Sequence, residues 1–127
     1  MTYEVGLSRD VRATHVMPGM PEPEGSPHEH DYRVEVVVGR ELLDDRAMVC
    51  DLDLLEAALG GTLALVEGKD LDAIRPDGVE AVTVEVFAHW VHQALAGPIR
   101  DAGGGTLAVR VWESPVAFGG YRDVISA

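Results

Sequence analysis

The chain has 127 residues, 46% of them hydrophobic and 25% charged, which suits one globular domain with a core and is too short for two. Its formal net charge of −12 excludes the basic surface that nucleic-acid binders need, so we expect neither a nucleic-acid nor a membrane partner. No apolar run approaches the roughly 20 residues of a membrane helix, no signal peptide is expected, and a lone Cys50 fits a reducing cytoplasm.

Two extended segments separated by a loop open the chain. Alternating apolar residues predict strand structure over Met1–Leu7 and again over Val11–His15. Four prolines and two glycines exclude regular structure from Met17–Pro27. A second strand is predicted over His28–Val38, ending near Gly39.

Two histidines one residue apart begin this second strand. Side chains alternate between the two faces of a strand, so the even-numbered residues from 28 to 38 share one face. Those residues are His28, His30, Tyr32, Val34, Val36 and Val38. The sequence therefore predicts two imidazoles side by side at the mouth of an apolar face, where a metal ion could bind.

The middle of the chain predicts a short extended piece and a first helix. Ala47–Cys50 is typical of extended structure, and Asp51–Leu59 of a helix with Asp51 as its N-cap. Gly60–Gly61 is expected to end this helix.

A second helix and a further strand complete the predicted elements. Apolar residues recur at helical spacing over Val84–Ala96, with Thr83 as N-cap and Gly97–Pro98 as the stop. Thr106–Glu113 predicts a strand. Two early strands joined by a loop should pair antiparallel, so we expect one α+β domain over residues 1–127, with the helices on one face of an antiparallel sheet.

Three histidines are the strongest candidates for chemistry. Hairpin pairing brings the end of the first strand, with His15, close to His28 and His30 at the start of the second. Three histidines with an open fourth position are typical of a catalytic zinc site. The alternative is that each histidine is a hydrogen-bonded core residue, since an HxH pair has many causes.

Other polar residues are candidates with competing explanations. Glu113 follows the inward residues of its strand, so it is either a buried carboxylate that binds a heterocycle or the point where the strand emerges into water. His89 and His92 are expected on a helix surface or in packing rather than as ligands. Cys50 is expected to be a small buried hydrophobic residue rather than a nucleophile.

Taken together, five segments resemble the 6-pyruvoyl-tetrahydropterin synthase and 6-carboxytetrahydropterin synthase family. They carry its first histidine, its HGHNY-V strand with Glu29 in place of Gly, its M-V-x-D-F turn, its T-x-E helix start and its V-x-V-x-E-T strand. The segments are Val11–His15, His28–Val34, Met48–Leu52, Thr83–Glu85 and Val109–Pro115. The resemblance covers nearly the whole chain, and the five segments occur in the family's order and spacing.

This resemblance implies a tunnelling-type fold (T-fold): a four-stranded antiparallel sheet with two helices on one face. It implies homotrimers or homohexamers with sites between subunits, and Zn²⁺ bound by His15, His28 and His30. It also implies that the substrate is a small pterin, 7,8-dihydroneopterin triphosphate or a relative.

Three further residues receive substrate-binding roles from the resemblance. Glu113 would anchor the pterin ring through its N–H and amino groups, and Thr83 and Glu85 would contribute from a neighbouring subunit.

The chain departs from the family at its catalytic residues. The loop before His28 contains no Cys, and Glu24 stands four residues before that histidine, where it is either a catalytic base of the kind some members use or one more loop acid. The family's Asp-His pair aligns best with Leu65–Glu67, where Glu67 could replace the histidine as a proton partner.

Two functions follow from these departures. One is a zinc-dependent pterin lyase in the cytoplasm with Glu24 in place of the usual Cys. The alternative is a catalytically degenerate oligomeric pterin- or purine-binding protein of the same fold.

Overall fold

A computed structural model describes residues 2–126 and contains one four-stranded antiparallel sheet. Its strands are β1 (Tyr3–His15), β2 (His28–Arg40), β3 (Thr106–Ser114) and β4 (Ala117–Val124), and they lie in the order β1-β2-β3-β4. Each strand pairs antiparallel with the next in the chain, so no crossover connection is needed.

Two helices cover one face of this sheet. Helix α1 (Leu52–Leu63) packs on β1, and helix α2 (Val84–Asp101) packs on β3 and β4. A short 3₁₀ helix, Leu71–Ile74, lies between them in the chain and contacts β1. The predicted α+β class, the four-stranded antiparallel sheet and the two helices on one face are confirmed.

The core lies between the sheet and the helices, and it follows the predicted alternation. Val34, Val36 and Val38 of β2 are completely buried, whereas Arg33, Glu35 and Val37, which alternate with them, are exposed or half-buried. Leu95 and Ile99 of α2 are also completely buried. Burial of each such side chain contributes roughly 1.5–3 kcal/mol, so this apolar layer stabilises the pairing of the strands.

Helix α1 continues past the glycines that were expected to end it. Asp51 is its N-cap as predicted, accepting a hydrogen bond from the backbone N–H of Asp53 at 2.9 Å. Gly60, however, lies inside the helix, close to the guanidinium group of Arg9, and Leu63 beyond it is buried. Burial of the last turn outweighs the weak helix propensity of glycine, about 1 kcal/mol per residue.

Helix α2 likewise runs through Gly97–Pro98, where the sequence predicted a stop. Its N-cap is Thr83, as expected, and its hydroxyl accepts from the backbone N–H of Val86 at 3.2 Å. Pro98 removes one backbone donor, but Ile99 in the following position is fully buried against the sheet. Packing of that residue keeps the final turn helical.

Two more predictions about the elements were incomplete or wrong. Residues 47–50 form bends and irregular structure rather than an extended piece, with Ala47 at a φ of 61°. Strand β4 has no counterpart among the elements read from periodicity, because most of its side chains are exposed and no apolar alternation marks it. Only the family resemblance implied a fourth strand.

A buried histidine joins helix α2 to the sheet. His92 is 5% exposed, and its Nε2–H donates to the carbonyl of Leu107 on β3 at 3.1 Å. Its ring also meets Tyr121 of β4 edge to face, with 4.7 Å between centroids. Burial lowers the pKa of His92, and the hydrogen bond to Leu107 opposes this effect only in part.

We expect His92 to make the protein less stable in mild acid. Its pKa is lower in the folded than in the unfolded chain, so the unfolded chain binds more protons as the pH falls below about 6.5. The free energy of unfolding, measured by urea titration between about pH 7.5 and pH 5, should therefore fall. A His92→Gln variant should lose less stability over this range, whereas exposed His89→Gln should behave as wild type. Equal pH dependence in all three proteins would contradict the prediction.

Candidate functional site

A cavity of about 470 Å³ opens at one end of the sheet, where β1 ends, β2 begins and α2 starts. Its wall combines imidazoles, carboxylates and a few apolar or aromatic side chains. The lining residues are His15, Met17, Glu24, His28, His30, Tyr32, Leu71, Val82, Thr83, Val84, Glu85, Phe87, Glu113 and Ser114. Seven of the eight residues predicted for the site lie on this wall: the three histidines, Glu24, Thr83, Glu85 and Glu113.

 Of all the predicted site residues, Glu67 alone is absent from this wall.

The three histidines come together through the register of the β1–β2 ladder. His15 lies directly opposite His28, and Ala13 lies opposite His30. The ring centroids of His15 and His28 are 5.1 Å apart, those of His28 and His30 are 4.7 Å apart, and those of His15 and His30 are 6.1 Å apart. The predicted convergence of the three rings is therefore present in the fold.

This ring spacing fits a shared metal ion. Three imidazoles bound tetrahedrally at the usual Zn–N length of about 2.0–2.1 Å would place their centroids about 5 Å apart. Nδ1 of His28 is 2.8 Å from the carbonyl oxygen of Ser26, which can only accept, so Nδ1 carries the proton and Nε2 is free to bind. Among residues 2–126, however, no group of three or more His, Cys, Asp or Glu side chains has its ligand atoms positioned to hold a metal ion. The rings would have to turn before their nitrogens met at one point.

The protonation of His15 also suits metal binding. His15 is only 9% exposed, and burial together with the nearby rings of His28 and His30 lowers its pKa. Glu113 and Asp70 act in the opposite direction, but they are the smaller influences. His15 is therefore neutral at pH 7, which is the form that binds a metal.

Glu113 lies at an irregularity in β3. The pairing with β4 shifts register between Trp112 and Ser114, as in a β-bulge. Glu113 is exposed, yet it lines the histidine cavity and also a second cavity of about 450 Å³ that includes Trp112 and Arg33. Glu113 therefore combines features of both expectations. It is exposed where the strand becomes irregular, as in the second expectation, and its carboxylate still lines the cavity, as the first requires.

Thr83 and Glu85 reach the cavity from the first turn of α2. The Thr83 side chain caps the helix, and Glu85 is an acidic residue in that first turn, where it complements the helix dipole. Both residues line the same cavity as the histidines within one chain. Within one chain, both residues are therefore on the wall that the histidines form.

Glu24 is placed at the cavity by the proline-rich loop. Its carbonyl accepts a hydrogen bond from the backbone N–H of Met17 at 2.8 Å, which draws the two sides of the loop together. Its side chain is exposed and lines the cavity with His28. A carboxylate in this position can take a proton from a ligand bound beside the histidines.

Glu67 lies elsewhere and has a structural contact. Its carboxylate accepts a hydrogen bond from the backbone N–H of Arg12 on β1 at 3.0 Å. Next to it, Gly68 N–H donates to the carbonyl of Arg12 at 2.7 Å, and Thr14 N–H donates to the carbonyl of Lys69 at 2.9 Å. The carboxylate therefore helps to fasten residues 67–70 to the outer edge of β1.

Sequence reasoning did not assign a role to Tyr32, although this residue lines the cavity. It is 2% exposed, and its ring lies 5.4 Å from that of His30 and 5.5 Å from that of Phe87. Burial and the charge of Glu113 raise its pKa, so the phenol is neutral at pH 7. The alternation that paired His28 with His30 could have identified it, because Tyr32 is the next residue on that face.

The chain is thus an α+β protein in which imidazoles and carboxylates line one cavity. The chain belongs to the 6-pyruvoyl tetrahydropterin synthase family, whose sequence profile matches residues 4–123. No curated protein sequence matches the chain.

Solved structures with the same fold include several 6-pyruvoyl tetrahydropterin synthases. The Plasmodium falciparum protein has a TM-score of 0.74 and 13% identity over 97% of this chain and 98% of that one. The Caenorhabditis elegans protein has a TM-score of 0.67 and 17% identity over 97% and 96% of the two chains. A Plasmodium vivax protein with a catalytic glutamate replaced by alanine has a TM-score of 0.73 and 12% identity over 98% and 99%.

Neither described helix is both long and apolar enough to cross a membrane.

The contact between Glu67 and Arg12 predicts an effect on stability. Glu67→Ala removes the acceptor for a backbone N–H, so we expect the free energy of unfolding to fall by about 1 kcal/mol in urea titrations. Glu67→Gln keeps an acceptor and should lose less. Glu56→Ala, an exposed change on α1, is the control and should be close to wild type. A fully stable Glu67→Ala protein would show that the contact contributes little.

Proposed function

We propose that this protein is a zinc-dependent, pterin lyase-like enzyme that acts on 7,8-dihydroneopterin triphosphate or a related pterin. Membership of the 6-pyruvoyl tetrahydropterin synthase family supports the class of reaction. The observation that carries the proposal is that three histidines, Glu24 and Glu113 line one cavity. A metal ligand set, a base and a ring anchor are thereby available to a single small molecule.

His15, His28 and His30 would hold the zinc ion. Their ring spacing, the neutral state of His15 and the orientation of the His28 ring by the Ser26 carbonyl all support this assignment. When bound, zinc supplies a Lewis acid that polarises an oxygen of the substrate side chain and makes neighbouring carbon-bound protons more acidic.

Glu113 would bind the pterin ring. An ionised carboxylate has two oxygens and can accept two parallel N–H bonds, which matches an adjacent ring N–H and amino group. Its place on the bulge of β3 directs it to the cavity while leaving the rest of the strand paired. Thr83 and Glu85, at the start of α2, would complete the ring site.

Glu24 would act as the base in place of the usual Cys. In the cavity it can accept the proton from a carbon next to a polarised oxygen and return it to a later intermediate. The Plasmodium vivax relative, whose catalytic residue in the same fold is a glutamate, supports this assignment. Glu67 does not line the cavity of its own chain, so its proposed role as a proton partner would require a site shared with another subunit.

We also propose that the protein forms a homotrimer or homohexamer. Strands β1 and β4 are the edges of the sheet and, among residues 2–126, only the end of β1 is covered, by residues 67–70. Phe118 and Val124 on β4 are exposed by 48% and 64%. Open edges with apolar side chains favour pairing with further strands.

One observation favours the alternative of a pterin- or purine-binding protein without turnover. No cysteine lines the cavity, and the segment aligned with the family's Asp-His pair is fastened to β1 through Glu67. Cys50 lines a different cavity, with Tyr3 and Asp51, so it cannot act at the histidines of its own chain.

Metal analysis of the purified protein tests the ligand set. We expect stoichiometric zinc in the wild type and a loss of more than about 100-fold in zinc affinity for His28→Ala, since each ligand is essential to a tetrahedral site. His89→Ala removes an exposed histidine of α2 and should retain wild-type zinc. Equal zinc in both variants would show that the metal binds elsewhere.

Turnover of dihydroneopterin triphosphate by the zinc-loaded protein, followed by mass spectrometry, tests the role of Glu24. We expect Glu24→Gln to reduce turnover by about 10²–10⁴-fold, because the amide cannot accept the proton. Zinc content and pterin affinity should not change. Glu22→Gln alters an acid of the same loop that does not line the cavity, and should remain active.

The outcomes separate the two candidate functions. Full activity of Glu24→Gln would remove Glu24 as the base. Pterin binding without turnover, unaffected by Glu24→Gln, would establish the binding protein instead. A wild type that neither binds nor converts a pterin, beside an active relative as control, would overturn both.

A further inference from the structure

Tyr32 is an almost completely buried residue whose hydroxyl group needs an explanation. It is 2% exposed and lines the histidine cavity. Phenylalanine would fill the same space without introducing a polar atom into it. Buried tyrosine hydroxyls usually find a hydrogen-bond partner, because an unsatisfied one costs about 1–3 kcal/mol.

Residues 2–126 do not provide that partner. The Tyr32 hydroxyl takes part in none of the side-chain hydrogen bonds formed among residues 2–126. The Tyr32 hydroxyl is also not completely enclosed, since Glu35 Oε1 is the one enclosed side-chain nitrogen or oxygen in that range without a hydrogen bond. The remaining place for the hydroxyl is the cavity, where water or a ligand can meet it.

The ring of Tyr32 is held rigidly. Phe87 of α2 packs against it edge to face, with an interplanar angle of 89° and 5.5 Å between centroids. His30 meets it at 5.4 Å and 53°. Because the Tyr32 side chain is already ordered, its hydroxyl can donate a hydrogen bond to a ligand with little loss of side-chain entropy on binding.

The position of Tyr32 indicates which part of a ligand it would contact. On one side its ring touches His30, a proposed metal ligand. Glu113, the proposed ring anchor, is close enough for its charge to act on Tyr32, and Arg33 pairs with Trp112 one position further along the ladder. Tyr32 thus has a proposed metal ligand on one side and the proposed ring anchor within electrostatic range.

We propose that Tyr32 is a substrate-binding residue whose hydroxyl donates a hydrogen bond to an oxygen of the ligand side chain, close to its junction with the ring. This inference rests on the proposed function, because it takes Glu113 as the ring anchor and the histidines as the metal site. It makes Tyr32 a specificity residue that distinguishes pterins with an oxygenated side chain from pterins without one.

Calorimetric titration of the zinc-loaded protein with neopterin and with unsubstituted pterin tests this role. Tyr32→Phe keeps the ring packing and removes only the hydroxyl. We expect it to bind neopterin about 3- to 10-fold more weakly, the loss of one hydrogen bond, and pterin as well as wild type does. Zinc content and thermal stability should be retained, which separates this result from misfolding.

Tyr121→Phe is the matched control. Tyr121 lies on β4 with its hydroxyl 3.3 Å from the Asp123 carboxylate, and it does not line the cavity. This variant should bind both pterins as wild type does.

Each result has a definite meaning. Unchanged neopterin affinity in Tyr32→Phe, or equal weakening for both pterins, would overturn the role of Tyr32 and leave the proposed function intact. If the wild type bound neither pterin, the proposed function would fail and this inference with it.

Discussion

The pairing of β1 with β2 is the constraint on which the rest of the structure depends. Thirteen residue pairs run in register from Tyr3–Arg40 to His15–His28, and the apolar side chains of both strands face the helices. A slip of one residue would turn every side chain of a strand to the other face. Exposing Val34, Val36 and Val38 would cost several kcal/mol, so core packing fixes the register. The imidazoles meet because hydrophobic residues far from the site hold the ladder in place.

Much of the fold could be predicted because its signals are local. Residues close together in the sequence are enough to show the alternation of apolar and polar side chains in β1, β2 and β3. The same is true of the helix caps Asp51 and Thr83. The C-terminal ends of the helices could not be predicted. Gly60 and Pro98 lie in helical turns that are stabilised by contacts with residues of the sheet far away in the sequence. Strand β4 could not be predicted from alternating hydrophobicity, because most side chains of this edge strand are exposed and need not be apolar.

The site divides in the same way. The histidine cluster followed from parity and hairpin pairing, which depend only on spacing along the chain. The direction of Glu113 depends on a bulge, and the contact of Glu67 with Arg12 joins residues 55 positions apart, so neither could be read from spacing. The alternation of side chains could have identified Tyr32, but the sequence alone could not show that its hydroxyl lacks a hydrogen-bond partner within the described part of the chain.

The attachment of Glu24 to an irregular loop has a consequence for how this scaffold can diversify. The loop lies outside the core, and the ladder that sets the histidines does not depend on the identity of residue 24. A substitution at this exposed loop position costs little folding free energy, whereas a change in the ladder would disturb the histidine cluster. Under the role proposed for Glu24, a change of reaction requires mutation of a single loop residue, and the three histidines keep their positions.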